Sequence, residues 1–233
     1  MLRFWDKISY PTWQKLADAV RTGEGQAQFG KFDKAEQQIF SAGVEAFSSP
    51  VAAALATSYD FSRHQRVLDV GGGTGSFLVA VLRRYHALKG TLFELPGACA
   101  VARQRLAREP EGTRIEVVDG DVFNDPLPEG HDALIVANTV HVFSAAHNIE
   151  LMGKMRAHVR PGARLLLADL WTDPTRTHPP GAALMSGEFL VIAGEGQAYS
   201  EQEAGEWLAQ TGWQKLERRP FAGAASLIVA EAT

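Results

Sequence analysis

The sequence holds a single cysteine, Cys99, so no disulfide forms within the chain. That fits a reducing compartment, and a cytoplasmic location is expected. No uninterrupted run of eighteen apolar residues occurs, which argues against a membrane-spanning helix. Blocks of like charge are also missing. Lys and Arg number 23 against 27 Asp and Glu, scattered along the chain for a net charge of −4, so nothing points to nucleic acid as a partner. The opening MLRFWDKISY has neither an apolar stretch nor a small-residue cleavage site, and no signal peptide is expected. The histidines lack the spacing of metal ligands, and no metal is expected. No internal repeat is visible. What remains is an ordinary composition over 233 residues, enough for one large domain with a real core.

From Arg66 onward, short apolar runs alternate with helical patterns. RVLDV, GTLFEL, RIEVVDGD, HDALIVANTV and ARLLLADL read as strands. GSFLVAVLRRYH, PGACAVARQRLA and AAHNIELMGKMRAHV read as helices between them. After a Pro-rich loop, SEQEAGEWLAQTG carries Ser200 as N-cap and Glu203 as the return arm of a capping box. WQKLERRP and ASLIVAEA then read as a terminal antiparallel hairpin. The expected fold is α/β: a doubly wound, mostly parallel, seven-stranded sheet over residues 66–233. Residues 1–65 are expected to form an N-terminal helical segment packing on that core and on the acceptor site. It reads as TWQKLADAV, then a helix capped by Asp33 with Glu36, then another capped by Ser49 with Pro50 at N1. Phe4, Trp5, Tyr10 and Trp13 crowd its start. They either pack on the sheet domain or face a partner, with self-association or a separate partner expected through residues 1–20.

VLDVGGGTGSFL spans Val67–Leu78. Glycines after a strand let the backbone bend sharply and approach a ligand closely, beside the free N–H groups of a helix start. The spacing is G-x-G-x-G over Gly71, Gly73 and Gly75, and Ser76 stands where a dinucleotide fingerprint needs its third glycine. Asp69 precedes the loop. A carboxylate there disfavours pyrophosphate and suits a ligand with a cationic amino-acid part, such as S-adenosylmethionine. Glu94 ends the second strand, where a carboxylate can accept both ribose hydroxyls, with Leu95 beside it. Asp121, at the end of the third strand, is placed for the adenine amino group, with Val122 and Phe123 against the ring. Asn138, at the end of the fourth strand, completes the expected cofactor set.

VLDVGGGTGSFL, LFELP, VVDGDVF and HVFSAAH together resemble the plant-type O-methyltransferases, the family of the caffeic acid and hydroxyindole enzymes. WQKLADAVRTGEGQAQF resembles the stretch before their catalytic core, and the resemblance runs from about Trp5 to Ala230. It implies a class I, Rossmann-like methyltransferase fold, S-adenosylmethionine as cofactor and an aromatic small-molecule acceptor from secondary metabolism. Family members usually carry an additional N-terminal winged-helix domain that builds the dimer, and this sequence starts after it. His141 aligns with the family's catalytic base, with Val142 where the family has an acid. Asp169, ending the fifth strand, aligns with an acid that orients the histidine. The family's second acid has no match: Ala198 takes its place, with Glu195 nearby. AALMSGEFLVIAG lies where the family lines its acceptor pocket, making Met185, Phe189 and Ile192 pocket candidates. The leading reading is O-methylation of an aromatic hydroxyl. The alternatives are a cofactor-binding relative with other chemistry (hydroxylation, N- or C-methylation) and a non-catalytic partner subunit.

Overall fold

The structure, a computed structural model, describes residues 1–25 and 31–233. The last residues of the WQKLADAVRTGEGQAQF stretch therefore lie outside the described residues. Strands β1 (Arg66–Val70), β2 (Lys89–Glu94), β3 (Ile115–Asp119), β4 (Ala133–Ala137), β5 (Arg164–Asp169), β6 (Trp213–Ala222) and β7 (Ala225–Ala232) form one sheet in the order β3-β2-β1-β4-β5-β7-β6. The first five pair in parallel, while β7 runs antiparallel between β5 and β6. The sheet begins at β1, winds out to β3 and returns to β4 on the other side of β1. The strand order thus reverses between β1 and β4, and open α/β sheets bind their ligands at such a point.

All five residues of β4 are buried, as are the last four of β1, so both faces of the sheet are covered. One face packs Leu68, Val70, Leu134, Val136, Leu165 and Leu167 against Trp171, Tyr199, Trp207 and Trp213. On the other, Val67, Leu92, Ile135 and Leu166 meet Leu55, Phe77 and Leu78. The alternation of odd and even strand positions between the clusters is the period of two that a pleated strand imposes.

Residues before β1 form α1 (Leu2–Phe4), a π turn (Trp5–Ser9), α2 (Tyr10–Trp13), α3 (Leu16–Thr22) and α4 (Lys34–Ser58). The single helix expected over TWQKLADAV is broken: the Lys15 N–H donates to the Thr12 carbonyl three residues back, closing a tight turn between α2 and α3. Asp33 caps α4 as expected, accepting from the Ala35 and Glu36 N–H groups while Glu36 accepts from the Asp33 N–H. The second cap is corrected. Ser49 does not start a new helix, and α4 runs through Pro50 for 25 residues. Proline removes one backbone hydrogen bond, but Pro50 and Ala46 lie on the exposed side. The buried stripe of Ser41, Ser48, Ala52 and Leu55 continues past them. By length and composition α4 is the described helix long and apolar enough to cross a membrane; here Ala52, Leu55 and Ala56 pack into the sheet's core.

The remaining helices are α5 (Ser76–Arg84), α6 (Pro96–Leu106), α7 (Ala145–Ala157), α8 (Pro180–Ala193) and α9 (Glu201–Gln210), the last with the capping box of Ser200 and Glu203. At the aromatic start, Phe4 packs on Phe40 with ring centroids 5.8 Å apart. Leu2, Trp5 and Tyr10 stay exposed.

Candidate active site

Gly71, Gly73 and Gly75 all hold positive φ, at 68°, 58° and 83°, conformations that side chains resist. Beneath them lies Asp69. A Cβ on Gly72 would sit 2.4 Å from its carboxyl carbon, so glycine alone lets the loop close over the acid. Asp69 is fully buried, and neither carboxyl oxygen has a hydrogen-bond partner. Burial, then the nearby Glu94, pushes its pKa up to about 8. A bare buried carboxylate is costly until a donor or cation completes it, and this is the feature of the site that fits a ligand with an ammonium group.

Glu94 faces the loop from the end of β2. Its Oε2 accepts the Gly73 N–H at 2.9 Å and its Oε1 the Leu95 N–H at 2.7 Å. Burial raises its pKa against the pull of those two bonds. Leu95 itself is exposed. Strand β3 ends at Asp119, so Asp121 sits in the turn beyond it rather than at the strand end. There it accepts the Phe123 N–H at 2.8 Å and the Asn124 amide at 2.9 Å, and the Phe123 bond leads in holding its pKa low. Val122 and Phe123 pack on the core, the Phe123 ring meeting Phe143 edge-on at 4.9 Å. Asn138 takes a left-handed turn at φ 53° that ends β4, and its amide donates to Ser48 of α4 at 3.2 Å.

One residue of this region escapes sequence reasoning. Glu45, on α4, accepts the hydroxyls of Thr74 and Ser76 on Oε2, and Arg105 (2.8 Å) and Ser49 (2.6 Å) on Oε1. Burial alone would raise its pKa; the bonds from Ser49, Ser76 and Thr74 and the charge of Arg105 outweigh that and hold it low. Glu45 therefore places the protein's own anion at the start of α5, where a dinucleotide's pyrophosphate would bind. No local signal announces it, because apart from Ser49 its partners, Thr74, Ser76 and Arg105, lie in distant parts of the chain.

The catalytic candidates meet at the ends of β4 and β5. A 3-10 turn, Val140–Val142, follows the Asn138 bend and presents His141. Its Nδ1 lies 2.6 Å from Asp169 Oδ1, which also accepts the Leu170 N–H at 2.7 Å, while Oδ2 accepts the His141 N–H at 3.4 Å. Asp169 is buried, and 14% of the His141 side chain is exposed. A carboxylate on Nδ1 fixes the tautomer that leaves Nε2 as the proton acceptor. The ring of Phe189 stacks on the imidazole, centroids 3.7 Å apart and planes 13° apart. The backbone of His141 is pressed from behind, where a Cβ on Gly196 would come within 1.9 Å of its carbonyl oxygen. Ala198 is buried and donates its N–H to Ser186, while Glu195 pairs with His147 at 2.7 Å and not with His141.

The pocket candidates on α8 divide. Phe189 stands on His141, and Met185 packs beside it with Leu170 and Ala182. Ile192 goes elsewhere: it joins Val191 against Ala19, Trp13 and Leu16 of the N-terminal helices. The reason is its place further along α8, where α2 and α3 cross.

A family model described as the O-methyltransferase domain matches residues 13–214. The chain belongs to that family. The 3-hydroxy-5-methyl-1-naphthoate 3-O-methyltransferase of Streptomyces sahachiroi is 32% identical over 93% of this chain and 64% of its own length. The acetylserotonin O-methyltransferase of Mus musculus is 29% identical over 94% of this chain and 61% of its own. The chain thus spans a little under two thirds of these relatives. Among solved structures, the mitomycin 7-O-methyltransferase MmcR superposes with a TM-score of 0.89 at 27% identity, covering 96% of this chain and 68% of that one. PigF, solved with SAH, gives 0.89 at 28%, over 98% and 72%.

Proposed function

We propose that the protein is an S-adenosylmethionine-dependent O-methyltransferase that acts on a hydroxyl of an aromatic small molecule. The observation that carries this is the His141–Asp169 pair, roofed by Phe189, at the switch point beside the buried, unpartnered Asp69. Asp69, Gly71, Gly73, Gly75, Glu94, Leu95, Asp121, Val122, Phe123 and Asn138 would hold the cofactor. When bound, S-adenosylmethionine supplies a methyl group on a sulfonium, open to attack by oxygen.

The chain's own part is alignment and proton removal. A phenol has a pKa of about 10 and is mostly protonated at neutral pH. His141 Nε2 accepts its proton, and Asp169 stabilises the imidazolium that results, an arrangement that contributes about 10²–10⁴-fold. The flat wall of Phe189 favours a planar acceptor and limits the approach of the hydroxyl to one plane. Relatives named for naphthoate, tetracenomycin and mitomycin support an aromatic or polyketide-like acceptor. The test is incubation with S-adenosylmethionine and a panel of phenols and hydroxylated heteroaromatics, read by mass spectrometry. Gain of a methyl on oxygen supports the reading. Bound cofactor with no methylated product across the panel overturns it.

We also propose a cytoplasmic location, resting on the lone buried Cys99, and self-association through the start of the chain. Leu2 and Tyr10 are 86% and 67% exposed, and clustered apolar exposure marks contact sites. Light scattering that returns a monomer at high concentration overturns the second of these.

A further inference from the structure

Glu188 lies on α8 one residue before Phe189, three after Met185 and four before Ile192, between the side of the helix that meets His141 and the side that meets the N-terminal helices. It is only 5% exposed. One carboxyl oxygen, Oε2, accepts the Ser9 hydroxyl at 2.9 Å and the indole N–H of Trp13. The Trp13 ring lies over Gly187, where a Cβ would come within 2.8 Å of it. The other oxygen, Oε1, is buried and has no partner.

Docking the N-terminal helices onto α8 uses Oε2 alone. It does not account for a second buried oxygen left bare, which is a costly arrangement. A leucine at this position would fill space without that cost. Apart from Asp69, which the cofactor reading uses, Glu188 is the carboxylate among the described residues with a buried oxygen that no group of the chain satisfies. It is also next in sequence to the ring that covers His141. A partner for a carboxylate Oε1 is a hydrogen-bond donor, and no described group of the chain supplies one.

Resting on the reading of this site as an aromatic O-methyltransferase, we propose that Glu188 is a specificity-determining residue. Its Oε1 accepts a hydrogen bond from a second hydroxyl or amine N–H of the acceptor, on a ring position away from the methylated oxygen. Acceptors with such a donor are selected over analogues that lack it, because the analogue leaves the carboxylate unpaired.

The experiment compares 2-naphthol with dihydroxynaphthalenes whose second hydroxyl is moved around the ring, using the full chain and saturating S-adenosylmethionine. At least one isomer should exceed 2-naphthol in kcat/KM by about tenfold or more, mainly through KM. In Glu188→Gln the amide oxygen can still accept from Ser9 and Trp13, but its NH2 faces the incoming donor. The advantage should fall to within about twofold, with S-adenosylhomocysteine affinity by calorimetry unchanged. Glu188→Leu should abolish the same preference. If both variants slow every naphthol by one common factor, Glu188 only bolts the N-terminal helices down and the proposal is overturned. If the wild-type protein methylates 2-naphthol but prefers no isomer, the proposal fails while the methyltransferase reading stands. If cofactor binds and no naphthol is methylated, both fail together.

Discussion

His141 and Phe189 lie face to face, with 3.7 Å between ring centroids. The imidazole is thereby held in one plane, and within that plane Asp169 fixes which nitrogen is protonated. Positioning and protonation of the imidazole thus come from two separate contacts that mutation can uncouple.

His141→Gln should lower turnover about 10²-fold on a phenol of pKa about 10, the milder end of the range for a lost base, since Ala198 supplies no second acid. A nitrophenol already ionised at the assay pH should lose much less. Asp169→Asn should show the same pattern more weakly. Equal losses on both phenols would mean that His141 positions the acceptor and takes no proton from it.

Asp69 stands at about 8 in the folded protein against an ordinary 3.8. Its pKa is raised, so its contribution to stability is fully present below 3.8 and is lost as pH rises through about 8. The cofactor-free protein should become less stable across neutral pH, and Asp69→Asn should remove much of that slope. An ammonium group settling on Asp69 near pH 7 should displace up to about one proton. Calorimetry of S-adenosylmethionine binding in buffers of different ionisation enthalpy measures this, and identical heats in all of them would count against the contact. Glu94→Ala, which also frees the glycine loop, should weaken the same binding by about tenfold or more.

Glu45→Ala removes the acceptor shared by Thr74, Ser76, Ser49 and Arg105, and should cost about 2 kcal/mol in urea unfolding. The Glu45 pKa is lowered on folding, so this contribution is present above its ordinary 4.5 and fades as pH falls through the folded value. The gap between wild type and variant should therefore close in acid. A gap that is constant from neutral to acidic pH would show that the carboxylate charge is not what matters.

Pro50→Ala restores a backbone donor to the Ala46 carbonyl in the exposed face of α4. Stability should rise, by about 1–3 kcal/mol. A lower urea midpoint would mean that the proline ring makes contacts worth more than the missing bond.

The sheet was legible because most of its strands are short apolar runs bounded by glycine, proline and helical patterns, of a length that favours a strand over a buried helix. His141 and Asp169 could be paired in advance, since residues at the ends of adjacent parallel strands must come together. Glu45 and Glu188 could not. Apart from Ser49 beside Glu45, the partners of each are far away in sequence, and nothing in GVEAF or MSGEFL distinguishes a buried acid from a solvated one. The break assigned at Ser49-Pro50 failed for a related reason. Local propensity favours a new helix there, but the buried stripe of α4 continues across the proline and tertiary packing prevails. Ile192 was misplaced because helical spacing shows which residues share a face, not which neighbour crosses it.

The last strand in the sequence, β7, is not the last in the sheet: it lies between β5 and β6. A chain emerging from the ribosome makes β6 before the strand that must separate it from β5. Until Ala225–Ala232 have left the exit tunnel, β5 presents an unpaired edge of Leu165, Leu166 and Leu167, and such an edge invites wrong pairing. The sheet closes only when Ala225–Ala232 insert between β5 and β6, so its edge at β5 stays open longer than the order of the first five strands alone would require.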